Sequence, residues 1–356
     1  MVKRRSLSLP GGAGQVSGIA ATFIGTVVGA GFASGQEIYQ FFGRYGFYGI
    51  IGIIIAVMIM GAAGAKVFYF GSLLKPKSYK DLLNFLLGPE LAKIIDVFIL
   101  LFFIILIAVM FAGCGTVFET TGLGYWTGIV VTGIILMITL FKELSGLISA
   151  NLIIVPFMFI GCLGVSVHAI ITRDTASVHA LTKNVNGLKC LLAALQFSAY
   201  NIVLSFPVLL SLGDRFPLKK RLRLGSWLGS IGLGIMAGFI HWAILTHPVS
   251  SSNALPMVGL AKNVGNWAFL SYAVVLWGEM FSTLLADCYG VAKRLAAFSG
   301  WPYPIWVLIL CLTGIFIARF GFVNLIAKFY PLYGYICFIV LILLFFKPTP
   351  FSGKKL

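Results

Sequence analysis

Residues 25–37 read GTVVGAGFASGQE, which places four glycines, two hydroxyl residues and a Gln-Glu pair inside an otherwise apolar segment. Glycine weakens a helix, and an ionised carboxylate is costly inside hydrocarbon. The stretch therefore predicts a membrane helix that is interrupted near its middle. A continuous helix is the alternative, because Gly25 and Gly29, and again Gly31 and Gly35, have the small-xxx-small spacing of close helix packing.

The polar residues that follow the glycines favour the interruption. Ser34, Gln36 and Glu37 come directly after them, and unwound backbone at membrane depth is tolerated only where protein or a watery cavity satisfies it. A discontinuous helix offers carbonyl groups to a cation and a half-helix N-terminus to an anionic group. Glu37 falls in the first turn of the outer half-helix. There it either caps the helix or acts with Gln36 in gating or coupling.

The composition indicates an integral membrane protein whose environment is the lipid bilayer. Hydrophobic residues make up 60% of the chain and charged residues 10%, with a mean hydropathy of +1.01, whereas soluble domains are roughly half apolar and about a quarter charged. Apolar runs of roughly 20 residues recur, each long enough to cross a bilayer. The net charge of +16 is spread in short clusters between these runs. It therefore indicates orientation in the membrane, and no nucleic-acid partner is expected.

Several function classes lack their sequence signals. No HExxH, GxSxG or Walker A pattern occurs, so neither an enzyme nor a nucleotide-driven pump is expected. The six cysteines are scattered without a CxxC pair. A zinc site, a disulfide framework or another cofactor is therefore not expected.

The apolar runs predict about ten transmembrane helices. Their approximate ranges are 14–42, 46–71, 94–120, 126–141, 147–171, 188–212, 224–246, 267–290, 303–319 and 323–346. Placing both termini in the cytoplasm assigns most Lys and Arg residues to that side, as the positive-inside rule requires.

The spans divide into two halves of similar length. The predicted organisation is a tail at 1–13, five helices at 14–171, five helices at 188–346 and a tail at 347–356. Because five is odd, the second half enters the membrane from the opposite side, as in an inverted repeat. The lead helix of each half carries a predicted interruption, the second one a polar stretch shortly before Pro207.

Two short amphipathic segments lie between spans. Ser78 and Asp81 begin the first like a capping box, and the second covers residues 255–261. Each is expected to rest on the membrane interface or, alternatively, to cover a substrate path.

The eighth span carries a second polar cluster. Glu279 lies near its middle, with Ser282 and Thr283 on the same helix face. A carboxylate with two hydroxyls suits sodium or a proton. The alternative is a glutamate bonded to a neighbouring helix, with hydroxyls bonded to their own carbonyls. Asp287 is expected to be solvated or paired with Lys293 or Arg294.

Three segments resemble a known family. GTVVGAGFASGQEIYQFF at 25–42, EMFST at 279–283 and the segment at 321–335, which begins GFVN and ends YPLYGY, are similar to the YkvI-like bacterial membrane proteins. That family is related to the amino acid-polyamine-organocation superfamily. The resemblance implies an all-α LeuT-type fold of five-plus-five inverted helices in the bacterial cytoplasmic membrane, with helices 1 and 6 discontinuous.

The resemblance also implies the location of two sites. A cation site would use the carbonyls of Gly25 and Val28, the hydroxyls of Ser282 and Thr283, and Glu279. The expected substrate-binding residues are Ala30, Gly31, Phe32, Ala33, Ser34, Phe197, Ser198, Ala199, Tyr200 and Asn201.

Sodium is the expected coupling ion. Proton-coupled relatives often carry a lysine on helix 5, and this chain has none between Glu143 and Arg173. Glu279 could titrate, so a proton remains the second choice. The resulting hypothesis is a cation-coupled secondary transporter of a small, amino-acid-like organic solute that works by alternating access. The alternative is a receptor or sensor that binds the solute without transporting it.

Overall fold

The computed structural model describes residues 13–76, 78–141, 147–172, 187–215, 219–247 and 254–348. Fourteen α-helices and no strand occur in these ranges. The helices are α1 Ala13–Val27, α2 Ala30–Ala33, α3 Gln36–Phe41, α4 Tyr48–Leu74, α5 Tyr79–Leu87, α6 Pro89–Thr120, α7 Tyr125–Phe141, α8 Leu147–Ile171, α9 Gly187–Arg215, α10 Lys219–Thr246, α11 Pro256–Val264, α12 Asn266–Ser299, α13 Tyr303–Ala318 and α14 Phe322–Phe346.

The apolar helices stand where the sequence predicts the spans. Six helices in the described ranges are long and apolar enough to cross a membrane, namely α4, α6, α9, α10, α12 and α14. Shorter apolar helices occupy the remaining span positions, in α1, α7, α8 and α13. The prediction of an all-α membrane fold is confirmed.

The helices pack in two groups. One group contains α1, α4, α9 and α10, and the other contains α6, α7, α12 and α13. Helix α8 contacts both α10 and α12, and α14 contacts both α9 and α6. The first two spans of each predicted half thus lie in one group, and the third and fourth lie in the other. This arrangement is the one expected of an inverted repeat, although the exact halves, 14–171 and 188–346, stay a prediction.

The sixth span is continuous, so the predicted interruption there is wrong. Helix α9 runs unbroken through its polar residues and through Pro207. The Ser198 hydroxyl donates to the carbonyl of Ala194 at 2.8 Å, and the Asn201 amide donates to the carbonyl of Phe197 at 3.0 Å. Since these polar side chains find partners on their own helix, their presence does not require the backbone to open.

The two amphipathic segments form helices with different surroundings. Ser78 and Asp81 make the predicted capping box at the start of α5. The apolar side of α11 is buried in protein and packs against α8, α10 and α12. The backbone N–H of Met257 donates to the carbonyl of Ser34 at 3.0 Å. Helix α11 therefore covers the broken first span, which favours the covering alternative for this segment.

Candidate functional site

The first span is interrupted twice. The hydrogen-bond ladder of α1 ends with Val28 N–H donating to Ile24 C=O at 2.8 Å. Gly29 is extended, with φ −117° and ψ −176°. The next carbonyl, that of Gly25, therefore has no helical donor among the described backbone bonds. After the single turn of α2, Gly35 adopts a left-handed conformation and α3 begins. The predicted discontinuity of helix 1 is confirmed.

Glycine is required at position 35 for two reasons. Its φ of +79° is strained for any residue with a Cβ atom. A Cβ added there would also lie 2.9 Å from Cγ of Met257 and 3.2 Å from Cδ1 of Ile244. The second interruption and the covering helix α11 therefore fit each other closely.

Ser34 connects the two short helices. Its hydroxyl donates to the carbonyl of Gly31 at 2.9 Å and accepts from the backbone N–H of Gln36 at 3.2 Å. Both bonds satisfy backbone groups that the interruption leaves without helical partners. The hydroxyl of this expected substrate-binding residue is thus engaged in holding the local structure.

Three of the expected site residues meet at Glu37. The Tyr200 hydroxyl on α9 donates to Oε2 of Glu37 at 2.7 Å, and the glutamate is only 6% exposed. Gly31 lies directly beside the carboxylate, because a Cβ added to it would overlap Oε1 of Glu37. As predicted, Glu37 occupies the first turn of α3, where the helix dipole favours a carboxylate.

The aromatic residues expected to bind substrate pack tightly together. The ring centroid of Phe197 lies 6.5 Å from that of Phe32 and 5.0 Å from that of Phe42. The cavity between these rings has a volume of about 10 Å³, which is room for roughly one water molecule. A solute of amino-acid size would therefore need these helices to separate.

The other expected substrate-binding residues are buried, and the polar ones among them bond to backbone carbonyls. Ala30 and Ala33 lie within α2, and Ala199 lies within α9. The Ser198 hydroxyl lies 3.4 Å from the carbonyl of Ala56 on α4. Asn201 bonds within its own helix. For these residues a role in substrate binding stays a prediction.

Tyr272, which the sequence analysis did not identify, connects the second helix group to the interruption in the first span. The Tyr272 hydroxyl on α12 donates to the carbonyl of Ala33 at 2.6 Å. The thiol of Cys162 on α8 lies 3.8 Å from the same carbonyl and 3.0 Å from the tyrosine oxygen. The spacing gave a usable signal, since Tyr272 lies seven residues, or about two turns, before Glu279 and shares its helix face.

Glu279 is buried without a full set of partners. It is 4% exposed, and its Oε2 atom has no hydrogen-bond partner within the described part of the chain. The Ser282 hydroxyl donates to the backbone carbonyl of Glu279 at 3.0 Å. The Ser282 hydroxyl is thus bonded to a carbonyl of its own helix, which is the alternative to a cation-binding hydroxyl. Oε2 of Glu279, in contrast, has no partner among the described residues. Oε1 of Gln36 is likewise buried and unpartnered there.

Helix periodicity relates Glu279 to the end of α1. Helix α12 meets the broken span at α2, through Tyr272. Glu279 and Thr283 lie farther along the same face, with Glu279 about 10 Å beyond Tyr272 at 1.5 Å per residue. As spans one and eight, α1 and α12 run in opposite directions, so this shift leads toward Gly25 and Val28. The cation site itself stays a prediction.

The expected pairing of Asp287 with Lys293 or Arg294 is wrong. Arg294 contacts the carboxylate of Asp96 on α6, and Nζ of Lys293 lies 2.5 Å from the hydroxyl of Tyr289. Oδ2 of Asp287 is buried and has no partner among the described residues. The sequence does not reveal that Asp96, nearly 200 positions away from Arg294, comes to meet it.

Among the described residues, no group of three or more His, Cys, Asp or Glu side chains could hold a metal ion.

Comparison with known proteins confirms the resemblance, although no family model matches the chain. It is 27% identical over 338 residues to the uncharacterized membrane protein YkvI of Bacillus subtilis strain 168, covering 95% of this chain and 97% of that protein. It is 28% identical over 327 residues to YyaD of the same organism, covering 91% of this chain and 94% of that protein.

A solved structure shares the fold. The inward-facing conformation of Mhp1 superposes with a TM-score of 0.56 at 12% identity, covering 92% of this chain and 75% of Mhp1. A manganese transporter of Eremococcus coleocola, in complex with an aromatic bis-isothiourea compound, gives 0.49 at 14% identity, covering 93% and 76%. The likeness to Mhp1 confirms the LeuT-type architecture.

Proposed function

We propose that the chain is a secondary transporter that couples the movement of a cation, sodium in preference to a proton, to that of a small organic solute. One observation carries the proposal: Glu279 is buried, its Oε2 atom lacks a partner in the described chain, and it shares a helix face with the tyrosine that holds the broken span. The fold shared with Mhp1, a LeuT-fold transporter, supports it.

A cation would compensate the buried carboxylate. An uncompensated charge inside a membrane protein costs several kcal/mol, so such groups are paired or protonated. Sodium, a hard cation, takes oxygen ligands. We expect them from Glu279, from the carbonyls of Gly25 and Val28, and from the hydroxyls of Ser282 and Thr283. The Gly25 carbonyl is suited to this role because its helical donor is missing.

The solute site would open by movement between the two helix groups. The cavity beside Phe32 and Phe197 is only about 10 Å³ and lies within the first group, between the broken span, α4, α9 and α10. We therefore place the solute on the side of residues 30–34 where α2 contacts α8 and α12. The bond from Tyr272 to the Ala33 carbonyl joins the second group to the broken helix of the first. Separation along this contact would expose residues 30–34. Coupling follows if the cation stabilises only one of the two arrangements.

The class of solute and the orientation rest on the sequence. An amino-acid-like solute follows from the resemblance to the superfamily. The distribution of Lys and Arg residues supports placing both termini in the cytoplasm of a bacterial cell.

Thermal unfolding of the detergent-solubilised protein in sodium or potassium, at two pH values, tests the cation site. Binding to the folded state alone at 100 times Kd adds about 2.7 kcal/mol. We expect a sodium-specific rise in Tm that Thr283→Ala and Glu279→Gln abolish. Thr139→Ala is the matched control, because this threonine bonds to its own helix on α7.

Other outcomes would redirect the proposal. A Tm that shifts with pH but not with sodium, and loses this shift in Glu279→Gln, would indicate proton coupling. The transport function itself is tested by uptake of labelled amino acids and related solutes into proteoliposomes. If no solute moved under a sodium or a proton gradient, the receptor alternative would replace the transporter.

A further inference from the structure

A groove between α4 and α10 lies at the end of the bundle where α4 ends and α10 begins. Its volume is about 230 Å³. Helix α4 lines it with Ala62, Ala65, Lys66 and Tyr69. These positions follow the i, i+3, i+4, i+7 spacing of one helix face. A continuous stripe of α4 therefore forms one wall.

Helix α10 forms the opposite wall in the same way. It contributes Lys219, Leu222, Arg223 and Trp227, which also share one face. The indole of Trp227 packs onto α4 because residue 61 is glycine, where an added Cβ would lie 2.7 Å from the ring. The indole therefore gives the groove an apolar deep end.

The groove concentrates positive charge without a matching carboxylate. Its described lining includes Lys66, Lys219 and Arg223 and no acidic side chain. Nζ of Lys66 donates to the carbonyl of Phe345 at 2.7 Å, and Nζ of Lys219 lies 4.6 Å from the centre of the Tyr69 ring. None of these contacts neutralises a charge. An anion would therefore be attracted to the groove.

Beyond the groove, both helices carry exposed apolar side chains on a surface that contacts lipid. Along α4, Ile54 and Met58 are 53% and 50% exposed. Along α10, Leu228 and Ile231 are 51% and 44% exposed. In spanning helices such side chains face hydrocarbon. The groove is therefore polar toward the helix ends and continuous with lipid on its deep side.

We propose that this groove binds the phosphate group of an anionic phospholipid. Lys66, Lys219 and Arg223 attract the phosphate, and basic pockets between helices at the membrane surface suit anionic head groups. The acyl chains lie along the seam of α4 and α10, beside Met58 and Ile231. A free phosphate ion would use the charges but would leave the apolar seam without a ligand, so the lipid is the better fit.

Lipid binding to the purified full-length protein tests this proposal. Native mass spectrometry in detergent would measure the binding of phosphatidylglycerol, with phosphatidylcholine as the zwitterionic comparison. We expect Arg223→Gln and Lys219→Gln each to weaken phosphatidylglycerol binding roughly fivefold. Lys220→Gln is the matched control, since Lys220 is exposed on the same helix and does not line the groove.

Three results would overturn the proposal. Equal binding of phosphatidylcholine would show that charge does not select the ligand. An equal loss in Lys220→Gln would show that the groove is not the site. Complete displacement of the lipid by inorganic phosphate at equal concentration would identify a simple anion site. The substitutions lie on exposed positions, so an unchanged Tm without added lipid confirms that the variants are folded.

Discussion

The lead helices of the two predicted halves differ in how their polar groups are satisfied. In α9, Ser198 and Asn201 bond to carbonyls one turn earlier, and the helix continues. In the first span the partners come largely from elsewhere: Tyr272 bonds to the carbonyl of Ala33, and Met257 bonds to that of Ser34. Polar side chains alone therefore do not open a membrane helix. In the first span the helix is interrupted at glycines, and donors from other helices satisfy the carbonyls beside the interruption.

The two lead helices also differ in what stabilises them. Helix α9 depends mainly on its own bonds for its continuity, whereas the broken span is held by α8, α11 and α12. The short helices α2 and α3 contain four and six residues, and isolated helices of that length are not stable. Substitutions in the broken span should therefore cost more than comparable ones in α9.

The largest effect is expected for Gly35→Ala. A Cβ in the left-handed conformation costs about 1–3 kcal/mol, and contact with Met257 adds to this cost. The Tm in detergent should fall clearly. Gly29→Ala is the matched control, because Gly29 has an extended backbone and a Cβ there would meet no atom within 4 Å. Equal losses in both variants would show that the close fit at position 35 has no special importance.

A smaller effect is expected for Tyr200→Phe. The Tyr200 hydroxyl on α9 joins the two lead helices through its bond to Glu37 on α3. Removing the hydroxyl takes away the donor to the buried Glu37 carboxylate, and an unsatisfied buried group costs roughly 1–3 kcal/mol. Tm values for this variant, for Glu37→Gln and for the double variant form a cycle. We expect a coupling free energy of about 0.5–3 kcal/mol. Simple additivity would mean that the bond contributes nothing.

The smallest effects compare two serines directly. Ser34→Ala removes the hydroxyl that bonds to the Gly31 carbonyl and to the Gln36 N–H, and a hydrogen bond of this kind contributes about 0.5–1.5 kcal/mol. Ser205→Ala removes a hydroxyl that bonds only within α9, to the carbonyl of Asn201. It should cost less than Ser34→Ala, because a hydroxyl bonded back to its own intact helix adds little to stability. Chemical or thermal unfolding of both variants would measure the difference. A larger loss for Ser205→Ala would reverse the comparison between the helices.

The sequence predicted the spans and the break in helix 1 for physical reasons. Long apolar runs have few alternatives to membrane helices, and closely spaced glycines before Glu37 mark a weak point. It failed at α9, because a serine bonded to its own helix and one facing a cavity have the same sequence signal. For Tyr272 the only sequence signal was its place on the helix face of Glu279. Its partner is the backbone carbonyl of Ala33, and backbone acceptors carry no sequence pattern.

For the candidate site, the sequence identified the residues better than their partners. It pointed to Glu37, Tyr200 and Glu279, all of which are buried. It did not predict that Tyr200 bonds to Glu37, or that Arg294 contacts Asp96 and not Asp287. Such contacts depend on how helices distant in sequence are packed, which periodicity within one helix does not specify.

The bond between Met257 and Ser34 has a consequence for hydration. The start of a helix leaves N–H groups without partners, and an interrupted helix leaves carbonyls without partners. Here the N–H of Met257 at the start of α11 donates to the carbonyl of Ser34 at the interruption, at 3.0 Å, so each group satisfies the other. Lifting α11 away would leave both groups bare at once, and hydrocarbon offers them nothing. Opening on that side can therefore proceed only as water enters, so the first molecule admitted through this route is water.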